Sequence, residues 1–152
     1  VSGAVKGTKR GIQKGTSLEM GKAHIERREL MNAKGFESEA EAIEWTDWAW
    51  WWQEEHPLEP KHTNPFYNEY EKIVGHDPVS FCFLCEWDAI KRNHGWGICV
   101  HCPYFRKFGY CNMNDKPYAS WCISQAIGNY DDAKKWATAF WEQIKALKER
   151  RG

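Results

Sequence analysis

No stretch of this chain approaches the run of about 18 apolar residues that a membrane-crossing helix needs. The positive charges near the N-terminus are not followed by the apolar segment of a secretory leader, so the reading is a soluble, intracellular protein with no membrane partner. Net charge is also missing, because 21 basic residues balance 21 acidic ones and leave no overall positive excess to offer a polyanion. There is no phosphate-cradling glycine loop, no nucleophile motif, no cofactor fingerprint and no internal repeat. Strand signals are scarce as well, with only Ile98 to Val100 as a short candidate.

Two absences are local. Residues 1–16 hold Lys6, Lys9, Arg10 and Lys14 without a single acid, whereas residues 37–59 hold Glu37, Glu39, Glu41, Glu44, Asp47, Glu54, Glu55 and Glu59 without a Lys or Arg. A neutral total therefore conceals a basic, glycine-rich arm and an acidic segment. The arm has too few apolar side chains to offset the entropy of ordering and is expected to be a flexible element that reaches a partner.

What the chain does have is cysteine in metal-site spacing. Cys82-x2-Cys85 and Cys99-x2-Cys102 are two CxxC pairs thirteen residues apart. Two thiolates three positions apart on a tight turn can face one ion, and two such turns complete a tetrahedral sulfur cage. In a reducing compartment this spacing points to zinc, in a closed site that stabilises folding and does not catalyse. Cys111, which follows the second pair through a turn at Gly109, is the alternate ligand; Cys122 is read as buried.

The expected fold is mainly α: a small helical domain stapled by a four-cysteine zinc site, with few or no strands. The expected parts are an arm (1–16), a helical N-terminal region with a Trp-rich helix (17–78), and a zinc-binding region ending in an amphipathic helix (79–152). A first helix is predicted from Ser17 to Lys34, stopped by Gly35. Ser38 and Glu41 form a capping box for a second, running to His56-Pro57. Asn64 and Pro65 open a short third helix. Phe81 to Arg92 and Ala119 to Ile127 follow, and Asp131 to Arg150 closes the chain with Trp136, Phe140, Ile144 and Leu147 at helical spacing.

Ten tryptophans are the other excess. Most are expected in the core, including Trp87, Trp121, Trp136 and Trp141, because large aromatics bury much apolar area in a small domain. Trp45, Trp48 and Trp52 share one helical face. Trp50 and Trp51 point away from it and are predicted to form a partner surface.

Cys82-x-x-Cys85-Glu86-Trp87, Cys99-x-x-Cys102-Pro103-Tyr104, Phe108-Gly109-Tyr110-Cys111 and Pro117-Tyr118-x-x-Trp121 occur in that order. This C-terminal half resembles a group of small cysteine-rich proteins encoded by bacteriophages and related bacterial genomes. Members often show CxxC-Glu-aromatic, CxxC-Pro-Leu, Gly-x-Cys and Pro-Tyr-x-x-Trp. Tyr104 replaces the usual leucine, and Cys122 stands outside the pattern. The resemblance implies a viral origin, in the host cytoplasm or the virion, and a shared metal-stabilised unit; it brings no activity.

Three function classes follow. The leading one is a non-enzymatic, zinc-stabilised module for protein interaction or self-assembly. The second is nucleic-acid binding through the arm and the basic end from Lys145 to Arg151. A metalloenzyme is third, since His24-Ile25-Glu26 lacks the second half of a deaminase signature and His56, His62, Asn64 and His76 form no recognisable ligand or triad set.

Overall fold

The structure is a computed structural model that describes residues 35–76, 82–93 and 99–151. The chain divides into two units, Val1–Leu30 and Met31–Gly152, and the second is the one described here. The arm residues Lys6, Lys9, Arg10 and Lys14 and the helix expected from Ser17 to Lys34 lie outside the described residues.

The described residues of this unit form six helices and one 3-10 turn: α1 (Glu39–Glu55), the turn Lys61–Thr63, α2 (Pro65–Val74), α3 (Phe83–Lys91), α4 (Pro103–Phe108), α5 (Pro117–Ile127) and α6 (Tyr130–Arg151). The protein is mainly α, with no strand among the described residues, and Cys99 and Val100 lie in a turn.

Local chemistry sets the boundaries. Ser38 accepts from the Glu41 amide at 3.1 Å, and the Glu41 carboxylate accepts in return from the Glu37 amide at 2.8 Å, one residue beyond the usual box partner. Asn64 caps α2 through the Phe66 amide, while its side-chain amide donates to Ala49 O and Gln53 Oε1, fastening the end of α1 to the start of α2. Pro65, Pro103 and Pro117 each occupy the start of a helix, where a missing N–H costs nothing. Gly35 has φ +99°, and a Cβ there would sit 2.8 Å from both Ile90 Cδ1 and the Tyr70 hydroxyl, so the chain enters the fold at a point only glycine fits.

Helix α1 is the centre of the packing, with α6 on one side and α2 and α3 on the other. On the α2/α3 side Trp45 meets Phe83, Tyr70 and Phe36. On the α6 side Trp50 meets Phe140, Trp121 and Tyr118, at ring separations of 4.7, 5.0 and 6.0 Å. Five residues of helix turn the chain through roughly 140°, so Trp45 and Trp50 fill opposite clusters.

This overturns the partner surface expected at Trp50 and Trp51. Trp50 is 0 % exposed and Trp51 9 %. The expectation assumed a helix with one buried face, but α1 is covered on both sides. It is Trp48 and Trp52 that are partly exposed, Trp52 stacking on His56 at 4.1 Å. Trp87, Trp121 and Trp141 are buried as expected, while Trp136 is half-buried beneath Lys135.

The segregated charges recombine in space. Glu54 takes Lys134 at 2.9 Å, Glu44 and Asp47 take Lys148 at 3.1 and 2.8 Å, and Asp47 also accepts from Trp141 Nε1 at 2.6 Å. Burial alone would lower the Lys148 pKa, but Asp47 and Glu44 outweigh it and hold the ammonium above its usual range. The acidic face of α1 is thus occupied by the basic face of α6. Helices on either side of residue 78 share one core. Among the described residues no helix is long and apolar enough to cross a membrane.

Candidate metal centre

Both CxxC segments are formed as tight turns at helix starts. Cys82 is the residue before α3, and the Cys85 amide donates to Cys82 O at 3.0 Å. Cys102 is the residue before α4, and its amide donates to Cys99 O at 3.1 Å. Each turn places its cysteines at or beside the start of a helix.

A buried carboxylate, absent from the sequence reading, joins the two turns. Asp88 lies three residues beyond Cys85, on the same face of α3. Its Oδ1 accepts from the His101 amide at 2.8 Å, and its Oδ2 accepts from the Cys99 amide at 3.0 Å and from Arg92 Nε at 2.9 Å. Burial on its own would raise this carboxyl; Arg92 and the two amides outweigh that and keep it below the ordinary carboxylate range. Cys99 has φ +68°, a left-handed backbone that costs about 1 kcal/mol for a non-glycine residue, and the Asp88 bond to its amide holds it there. Arg106 grips the same turn from the other side, donating to His101 O at 3.1 Å while its other nitrogen pairs with Glu39 at 2.8 Å.

The cysteines are close enough to influence one another. Burial, then Cys85, Cys102 and Cys111, push the Cys82 thiol far up; burial and Cys85 raise Cys99. Cys102 and Cys111 are each pushed up to about 12, by burial first and with Cys85 among the other causes. Cys85 is thus the common neighbour of four other sulfurs. Among the described residues no three His, Cys, Asp or Glu side chains are arranged to hold a metal ion. The donor set still suits zinc in kind: soft thiolates, paired three apart, on turns fixed by second-layer hydrogen bonds.

Three tyrosines surround this cluster. Burial and neighbouring cysteines raise Tyr67, Tyr104 and Tyr118, with Cys82 acting on all three. The Tyr104 hydroxyl donates to Gln143 Oε1 at 2.6 Å, tying α4 to α6. Cys122 is half-buried, correcting the expectation of full burial, and sits on α5 one turn beyond Tyr118, which hydrogen-bonds to it.

The histidines considered for catalysis do not converge. His56 and His62 are exposed, and Asn64 is consumed as a buried cap. His76 lies 3.8 Å from Glu86, a buried carboxylate that accepts from the Tyr70 hydroxyl at 2.7 Å. Comparison with known protein families, curated proteins and solved structures found no match to this chain.

The Asp88 link makes a direct prediction. Asp88→Asn keeps the shape but loses the charge that serves Cys99, His101 and Arg92. It should destabilise the fold by about 2 kcal/mol. It should also weaken metal affinity by about 10- to 100-fold, as measured by competition with a chromophoric chelator. Unchanged affinity would mean that Asp88 supports the fold alone.

Proposed function

We propose that this chain is a non-enzymatic interaction or assembly module of phage type, its cysteine region stapled by one zinc ion on Cys82, Cys85, Cys99 and Cys102, with Cys111 as the alternate ligand. The observation that carries the reading is the pair of CxxC turns fastened to each other through Asp88. Such a site is closed by protein on all four positions and leaves no place for water or substrate. The viral assignment rests on the resemblance of the C-terminal half.

Nucleic-acid binding is the competing reading, and the pairing of Lys145 and Lys148, the two described cations of the C-terminal end, weighs against it. Lys148 is taken up by Glu44 and Asp47, and Lys145 lies 3.2 Å from Glu142 and 3.9 Å from the Trp141 ring centre. The arm with Lys6, Lys9, Arg10 and Lys14 is the cationic element that the nucleic-acid reading needs. The test is fluorescence anisotropy with short DNA and RNA duplexes and single strands, on the full chain and on its Lys6→Ala, Lys9→Ala, Arg10→Ala, Lys14→Ala variant. An interaction module shows no appreciable affinity at physiological salt. Tight binding that falls steeply with salt and collapses in the variant would replace this reading with the nucleic-acid one.

A further inference from the structure

Helix α5 presents its core with one face and solvent with another. Trp121 and Ser124 are buried, and α5 is tied down where Trp121 Nε1 donates to Pro57 O at 2.9 Å and Gln125 Nε2 to Leu58 O at 3.1 Å. The opposite face carries Ala119, Ile123, Ala126 and Ile127, a stripe at helical spacing. Ile123 is 60 % exposed and Ile127 71 %, and Tyr130, three residues on at the start of α6, is 53 % exposed. A soluble helix ordinarily turns charge to water. Here no Asp, Glu, Lys or Arg occurs from Pro117 to Tyr130, although such residues make up 28 % of the chain.

We propose that this face is a homodimer contact in which α5 packs antiparallel against α5 of a second copy about a two-fold axis at Ile123. The proposal rests on the interaction-module reading and names its partner. Two observations choose a second copy over other occupants. First, an uncharged stripe has nothing to pair with a strongly basic or acidic partner, but meets its own kind without like-charge repulsion. Secondly, the stripe is self-complementary in size. An axis at Ile123 sets the two Ile123 side chains against each other at the centre, places Ile127 of each copy over the small Ala119 of the other, and faces Ser120 with Ala126, so that no large pair flanks the central one. The helix is only about 16 Å long, so the contact is small and the association weak and reversible.

Sedimentation velocity on the full chain from about 5 to 500 µM should show a reversible monomer–dimer equilibrium in that range. The variant Ile123→Asp/Ile127→Asp should keep its melting temperature, because both side chains are in water, and should weaken the dimer at least about 100-fold. Ile127→Lys alone should also weaken it. Adding Ala119→Asp should restore association, since each lysine then meets an aspartate of the other copy; the same two positions are too far apart within one helix to pair. A wild-type chain that stays monomeric to the highest concentration would overturn the inference, as would a dimer indifferent to Ile123→Asp/Ile127→Asp or a charge pair that fails to rescue. Zinc content measured on the same samples reports separately on the interaction-module reading: a zinc-loaded monomer removes this contact and leaves that reading standing, whereas a metal-free dimer does the reverse.

Discussion

Replacing Cys85 by Ala should empty the proposed zinc site and unfold the region from α3 to α5. Cys85 acts on Cys82, Cys99, Cys102 and Cys111, and its turn carries the helix that bears Asp88. A structural zinc ion contributes about 10 kcal/mol or more to folding, comparable with the entire stability of an ordinary domain at about 5–15 kcal/mol. Hydrogen exchange should therefore show lost protection between residues 82 and 127, together with a fall in zinc to near zero. Cys82→Ala, Cys99→Ala and Cys102→Ala should behave alike. Cys122→Ala should keep its metal, and Cys111→Ala should too if the two CxxC pairs form the shell; metal loss in Cys111→Ala moves that residue into the ligand set. Four cysteine variants that all fold and melt as the parent does would remove the zinc staple altogether.

The second large effect belongs to Trp50. Truncation to Ala would leave a cavity bounded by Phe140, Trp121 and Tyr118 at the meeting of α1, α5 and α6. The expected cost is about 3–5 kcal/mol, seen as a melting-temperature loss on the order of 10–20 °C. Trp52→Ala, on the partly exposed side and stacked on the exposed His56, should cost far less. Equal, small losses for the two would return Trp50 to the surface and contradict the central position of α1.

Much of the helical layout is legible in the sequence because caps and prolines act locally. Ser38 and Asn64 mark their helix starts by accepting from amides two or three residues on, and Pro65 marks its own through its fixed φ and missing N–H. Pro103 and Pro117 carry the same signal, although the sequence expectation starts the fifth helix only at Ala119. The rule that opens α2 at Pro65 opens α4 and α5 as well. The two CxxC turns are also local and can be read from spacing alone.

The rest depends on what lies across the fold. Whether Trp50 faces water is decided by α6, some ninety residues later in the chain, and no periodicity within α1 can report a helix buried on two sides. Asp88 looks like one more charge on a short helix until the turn from Cys99 to Cys102 arrives against it. The acidic run of α1 suggests a docking face when read alone; its partners Lys134 and Lys148 come from α6. Which side of α5 remains in water is shown only by the burial of Trp121 and Ser124.

The zinc staple is tested most directly by X-ray absorption at the zinc edge, on protein purified without added metal and first assayed for metal by mass. A four-thiolate centre gives about one zinc per chain and a single shell of four sulfurs at about 2.3 Å. A chain free of metal, or a shell in which nitrogen and oxygen at about 2.0–2.1 Å replace the sulfurs, would contradict it.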